Sequence, residues 1–326
     1  MKAVVRKYFL LAYVLQSGFF CSCVCAEENG LVGYWSFDQA KGNIAYDGSG
    51  KNNSGTVNGA LRVKGKIGEA LYFNGKYSWV RVPKSELLKV RNNQISILVW
   101  FRPDKPTGQV QHLVTKWGNY YLRFSPENKL TFAVFNDKGE ERGIVVNYDF
   151  KEGTWYFLAA TYDGKSSAIY IDGALEGFES QGLTLNTENV YDLHLGSASW
   201  GTAELLNGRL DETKIYDRAL TEEEILNEGG KDVKTKRIAS LNTDTLALLK
   251  KTRKLLNWEP EKYTATYQMD LASLRSRIEK INKAISQEQS LTVKQATVLF
   301  KQSGALFTES DDLVYKLRLD ILFDGN

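Results

Sequence analysis

Cysteine is confined to one short stretch of the 326 residues, where Cys21, Cys23 and Cys25 are the only three. Beyond residue 25 no disulfide, thiol nucleophile or thiolate metal site can be built. Histidine is nearly as scarce: His112 and His194 are the only two, and neither stands in a metal-ligand spacing such as HExxH. No GxxxxGK(S/T) loop and no GxGxxG turn after a strand occurs, which disfavours nucleotide binding. An excess of one charge is also lacking, since 42 basic residues stand against 39 acids. Three of the basic ones, Lys2, Arg6 and Lys7, open the chain, and without that stretch the charges balance. A chain so near neutrality gives little electrostatic reason to bind nucleic acid or an anionic membrane.

The basic start runs into an uncharged segment, 8–25, that ends Val24-Cys25-Ala26 before Glu27-Glu28. Small or neutral side chains at Val24 and Ala26 suit the shallow pockets of a signal peptidase, so residues 1–26 read as a secretory signal cleaved after Ala26. Gln16-Ser17-Gly18 breaks the apolar run and spoils it as a membrane span. An uncleaved anchor is one alternative; lipid attachment at Cys21 or Cys23 is another, although no good lipobox precedes either. Every one of these readings places the protein outside the cytoplasm: secreted, periplasmic or on the cell surface. Cleavage leaves no transmembrane span.

From residue 27 to 228 short alternating runs rich in Val, Ile, Tyr, Phe, Trp and Thr are separated by Gly, Asn, Asp and Ser clusters, the punctuation of an antiparallel all-β unit. Strands are expected at 31–37, 70–73, 79–82, 95–101, 112–116, 120–124, 130–135, 144–147, 155–162, 168–171, 192–196 and 209–216. That many strands favour a sandwich or barrel. Asp163-Gly164 and Asp172-Gly173 are turn signals at strand ends.

Several segments, in order, resemble the LamG-like jelly-roll family (concanavalin A-like lectin/glucanase superfamily, laminin-G/pentraxin type) over residues 30–227. They are Gly30-Leu31-Val32-Gly33-Tyr34-Trp35-Ser36-Phe37-Asp38, the loop Asp47-Gly48-Ser49-Gly50-Lys51-Asn52-Asn53-Ser54-Gly55, and the glycine-framed Gly65-Lys66-Ile67-Gly68-Glu69-Ala70-Leu71-Tyr72-Phe73-Asn74-Gly75. Ile95 to Pro103, Thr154 to Gly164, Tyr170-Ile171-Asp172-Gly173 and Asn207 to Ile225 complete the set. The resemblance implies an all-β antiparallel jelly-roll sandwich. It leaves function open, because this fold carries sugar-binding modules, adhesive and protein-binding domains and some glycosidases.

Two candidate sites follow. Asp47, Asn52 and Asn53 form a loop rich in oxygen donors, and the resemblance brings Asp211, on the last long strand, beside it. Carboxylates with amide oxygens suit structural Ca²⁺ better than zinc. Ser54, where the family often has an acid, departs from that pattern, and an Asx turn at Asp47 is the competing explanation. The second candidate is a carbohydrate surface, where sugar C–H faces stack on aromatic rings. Trp117, with Tyr120 after the Gly118-Asn119 turn, and Trp200, in the small-residue loop 196–201, are the candidate ligand contacts. Trp35, Trp100 and Trp155 lie within strand motifs and read as core. Trp79 faces either the core or a sheet surface.

A glycosidase of this fold commonly carries ExDxxE on one strand, and no such spacing occurs between 27 and 228. Asp211 and Glu212 are adjacent and point to opposite faces of a strand. Glu222-Glu223-Glu224 read as the acidic first turn of a short helix after Thr221.

Beyond residue 228 the period changes. Leu271, Leu274, Ile278, Ile281 and Ile285 recur at helical spacing, and further helices are expected at 243–257, 292–303 and 310–323. Residues 229–326 therefore read as a small helical hairpin or bundle.

The expectation is a non-catalytic binding module for a polysaccharide or glycoprotein glycan. A structural or adhesion module with a protein partner on the C-terminal helices is the second reading, and a glycoside hydrolase the third.

Overall fold

The computed structural model describes residues 29–39, 42–90, 92–188, 191–198, 203–256, 265–287 and 291–323. The leader 1–26 with its cysteines lies outside them, as does Trp200. The chain forms two eight-stranded antiparallel sheets stacked as a sandwich, followed by four helices.

The first sheet holds β1 (Leu31–Trp35), β4 (Leu61–Lys64), β5 (Glu69–Asn74), β7 (Ile95–Pro103), β12 (Tyr156–Tyr162), β13 (Ser166–Ile171), β14 (Ala174–Ser180) and β16 (Asn207–Tyr216). Its order is β14-β13-β12-β7-β16-β5-β4, with β1 also pairing β16. The second sheet holds β2 (Ile44–Ala45), β3 (Gly55–Asn58), β6 (Trp79–Val82), β8 (Gln111–Lys116), β9 (Tyr120–Phe124), β10 (Leu130–Phe135), β11 (Glu141–Val146) and β15 (Leu193–Leu195). Its order is β11-β10-β9-β8-β15-β6-β3-β2. First and last strands thus meet in the first sheet, where Trp35 sits opposite Thr213.

The core lies between the sheets and is built by period-2 alternation. On β7, Ile95, Ile97, Val99 and Phe101 point into it beside Trp35, Phe73 and Phe132. The intervening Leu98 and Trp100 point the other way and are equally buried, in a second cluster with Phe157, Tyr216, Leu220, Ile225, Leu226 and Val233. This explains the unbroken apolar run of β7: both of its faces are covered.

What covers the outer face is the start of the helical region. Thr221 caps α1 (Glu222–Glu228) with Glu224 in a reciprocal box, and the Arg218 guanidinium grips Glu224 with two hydrogen bonds at 2.7 and 3.0 Å. Gly230 takes φ +70 and turns the chain into α2 (Gly230–Leu256), whose first turns press Val233 onto the sheet. The charged stretch 231–237 is therefore helix, with Lys66–Asp232 and Lys236–Asp172 bridges flanking the apolar contact. Such half-exposed pairs add little; each fully buried aliphatic side chain contributes about 1.5–3 kcal/mol. Close approach depends on Gly173 in the β13–β14 turn, at φ +77, where a Cβ would stand 2.5 Å from Leu226.

Helices α3 (Ala265–Gln287) and α4 (Val293–Phe323) pack on the rest of α2, burying Leu249, Leu274, Ile278, Ile281 and Leu306 in a third cluster. Leu274 and Ile278 of the expected stripe are filled from within the chain, while Ile281 also borders a groove between α3 and α4. The two helices expected at 292–303 and 310–323 are one, because Gly304 sits mid-helix with open space at its missing Cβ. A glycine there costs about 1 kcal/mol and does not stop the helix.

Candidate functional site

Among the described residues no helix lies against the outer face of the second sheet, and its strands place a different set of side chains there. On β9, Tyr120 faces the core and Tyr121 faces out, where it joins Ala133 and Phe135 of β10 in a small aromatic cluster. Rings follow one another across it. His112 stands edge-on to Tyr121 at 5.5 Å, Tyr121 lies 5.8 Å from Phe135, and Phe135 lies 5.6 Å from Trp117. The Arg123 guanidinium covers Tyr121 at 4.2 Å, and the Tyr121 hydroxyl donates to Glu141 on β11.

A polar row crosses the same face. His112 Nε2 donates to Glu204 Oε2 at 2.8 Å, which leaves Nδ1 to accept from the Thr115 hydroxyl. Thr115 is opposite His194 in the ladder, and His194 Nδ1 donates to the Ala198 carbonyl at 2.9 Å. Burial pushes both imidazoles below their ordinary pKa, and hydrogen bonding to His112 lowers Glu204. Carboxylate, imidazole and hydroxyl are aligned as in a hydrolase. His112 and Thr115 have no exposed surface, however, so in this conformation a substrate has no path to the hydroxyl.

At the end of β8 a tight turn presents Trp117. Gly118 takes φ +76, and its missing Cβ would stand 3.9 Å from the ring of Tyr191, which is 45% exposed. The turn is tied to the facing loop through side-chain amides: Asn119 donates to the Asn186 and Glu188 carbonyls, and Asn186 donates to the Gly118 carbonyl. Lys116 is buried and donates to the Tyr191 carbonyl at 2.6 Å; burial lowers its pKa to about 8. Trp117 and Tyr191 thus form a braced aromatic rim, with Arg123, Glu141 and Glu204 on the same face.

The structure places Trp117 at this rim, half-buried, and Tyr120 in the core, fully buried. The error is one of parity: the outward ring is Tyr121. Tyr191 and Glu204 carry no sequence signal, because their loops reach β8 and its following turn only through the fold, and Arg123 on β9 carries none either. Trp35 is core, and Trp100 and Trp155 belong to the sheet–helix cluster.

The residues read as calcium ligands are held by hydrogen bonds in two separate loops. Asp47 Oδ1 accepts the Tyr34 and Ser49 N–H groups at 3.0 and 2.9 Å, and Oδ2 accepts that of Asn53 at 2.8 Å. Asn53 in turn donates to the Val32 carbonyl, and Asn52 supplies a turn position at φ +60. The loop closes on its own hydrogen bonds, as an Asx turn does. Asp211 serves a different loop, accepting from Lys66 and Ile67 N–H at 2.8 and 3.0 Å. Among the described residues no group of three or more His, Cys, Asp or Glu could hold a metal ion, and no helix is long and apolar enough to cross a membrane.

Residues 74–226 match the family described as the concanavalin A-like lectin/glucanases superfamily. The match agrees with the ordered motifs of the sequence and with the two-sheet sandwich. Among solved structures, the binding domain of Paraclostridial Mosquitocidal Protein 1 is 20% identical at a TM-score of 0.52, covering 61% of this chain and 52% of its own. Domain 4 of AbnA, a GH43 extracellular arabinanase from Geobacillus stearothermophilus solved with arabinotriose, is 24% identical at 0.51, covering 62% and 100%. The binding domain of botulinum neurotoxin DC, in complex with SialylT, is 17% identical at 0.50, covering 61% and 51%. The chain spans about half the length of the toxin binding domains it matches. At these identities the likeness is one of fold. No curated protein matches the chain in sequence.

Proposed function

We propose that the sandwich is a non-catalytic carbohydrate-binding module acting outside the cytoplasm, and that the rim of Trp117 and Tyr191 is where it meets the glycan. The observation that carries this reading is the braced pair of Trp117 and Tyr191 at one end of a ring-lined sheet face that also carries Arg123, Glu141 and Glu204. Rings take the apolar face of a sugar while charged and amide groups hold its hydroxyls. Bracing by Asn119, Asn186 and Lys116 pre-orders the rim, which lowers the entropy lost on binding. The similar arabinanase domain with arabinotriose and toxin domain with SialylT support a glycan, and the hydrophobic leader supports export.

A glycan array followed by calorimetry, with arabino-oligosaccharides and sialylated glycans included, tests the reading. Binding in the micromolar to millimolar range is expected, with Tyr191→Ala weakening it about tenfold or more and leaving the melting temperature nearly unchanged. No binding to any glycan at millimolar concentration, or binding indifferent to Tyr191 and Trp117, refutes it.

A further inference from the structure

Along one side of the bundle, α3 and α4 leave a groove between them. It comprises cavities of about 290 and 360 Å³ that share Gln302 in their walls. Arg277, Ile281 and Ala284 line it from α3, and Val298, Gln302 and Ala305 from α4. Both sets are spaced four and then three residues apart, so two facing stripes of about two turns, roughly 10 Å long, enclose a straight slot. Val298 is 47% exposed. The slot has the shape that an amphipathic helix fills with an i, i+3, i+4, i+7 edge.

The rim carries charge of one sign. Lys280 and Lys294 line the groove, and Lys283 stands beside Lys280 in the adjoining cleft. None of these three has a carboxylate partner among the described residues. The neighbouring acids are already taken, Glu279 by Arg253 and Glu309 by Arg277. A second copy of this chain docking by two-fold symmetry would set those lysines against themselves. A lipid surface needs a protruding apolar face, whereas this one is recessed.

We infer that the α3–α4 groove docks an acidic amphipathic helix from a partner protein, with apolar residues in the slot and carboxylates against Lys280, Lys283 and Lys294. Hydrophobic burial supplies the affinity, and the lysines select for charge and speed the encounter.

The test uses the full chain and two fluorescein-labelled helical peptides with the same leucine stripe, one with Glu and one with Lys at every other position. The Glu peptide is expected to bind at least about tenfold tighter than the Lys peptide, and to weaken as salt is added. Ala305→Trp fills the slot from an exposed position and should abolish binding while helicity by circular dichroism stays unchanged. The pair Lys280→Glu and Lys294→Glu should reverse the preference. Failure of both peptides to bind, equal binding of the two, or indifference to Ala305→Trp overturns the inference. So does a tighter, Ala305→Trp-insensitive association with phosphatidylserine vesicles.

Discussion

Asp211 carries a burial cost that one isosteric change removes. Its side chain has no exposed surface. Oδ2 is held by two backbone N–H groups, and Oδ1 is buried without a hydrogen-bond partner. The Lys66 and Lys236 ammonium groups are aimed elsewhere: Lys66 Nζ lies 4.6 Å over the Trp100 ring and bridges to Asp232, while Lys236 bonds to Asp172. Burial therefore outweighs the backbone N–H groups, the Glu212 carboxylate adds to the rise, and the carboxyl is pushed up from its ordinary 3.8 to about 7. A carboxyl raised in this way contributes fully below about pH 4, and its contribution is lost as pH climbs through about 7. The loss amounts to about 4 kcal/mol in all, or about 1.4 kcal/mol for each step in pH. The side-chain amide of Asp211→Asn cannot ionise, and its oxygen still accepts from Lys66 and Ile67. Urea denaturation of Asp211→Asn and the wild type at a series of pH values should therefore show the variant gaining about 3 kcal/mol relative to wild type between about pH 5 and about pH 8. Because the difference is taken between two otherwise identical proteins, the histidines and Lys116 cancel. A flat difference, or a variant that loses ground as pH rises, refutes the reasoning.

Gly173→Val adds a side chain at φ +77 and pushes it into Leu226 and Val233; a loss of about 2–4 kcal/mol is expected, with limited proteolysis now entering near residue 229. Lys116→Met removes a buried ammonium whose pKa has fallen to about 8. The variant should be more stable near pH 6 by about 2 kcal/mol, an advantage that shrinks as pH passes about 8 and the wild-type lysine becomes neutral, while glycan binding weakens because the Tyr191 loop loses its clamp. Millimolar calcium or a chelator should shift the melting temperature by less than about 1 °C; a rise of several degrees with calcium would restore the cation to the Asp47 loop.

The sandwich is legible in the sequence where strands are apolar on one or both faces. Trp79–Val82, Tyr120–Phe124 and Leu130–Phe135 lie where alternation puts them. Hidden from such a reading are β3, β4 and β14, whose exposed edge positions such as Leu61, Leu175 and Glu179 break the pattern that marks a buried face. Trp117 is legible because a turn announces itself locally. Tyr191 and Glu204 are not, since their place at the site is set by loops pinned to β8 through Lys116, Asn119 and His112, contacts with separations of 67 to 92 residues. The hydrogen bonds of the oxygen-rich loop at Asp47 are hidden for a related reason: its donors are backbone N–H groups, and these carry no residue type to read.

The two outer faces of the sandwich cannot serve the same purpose. The outer face of β7, β12 and β16 is covered by Leu220, Ile225, Leu226 and Val233, so it anchors the helices. A glycan is left with the opposite sheet, whose rim is built from β8, β9 and their facing loops. Sheets in a sandwich stack about 10 Å apart, so the aromatic rim and the start of the helical region attach to opposite sides of one core. That geometry predicts independence: saturating the chain with the acidic helical peptide should leave its affinity for a glycan unchanged. The same core would then bridge a carbohydrate on one side and a protein on the other, and neither ligand would have to displace or reshape anything the other one holds.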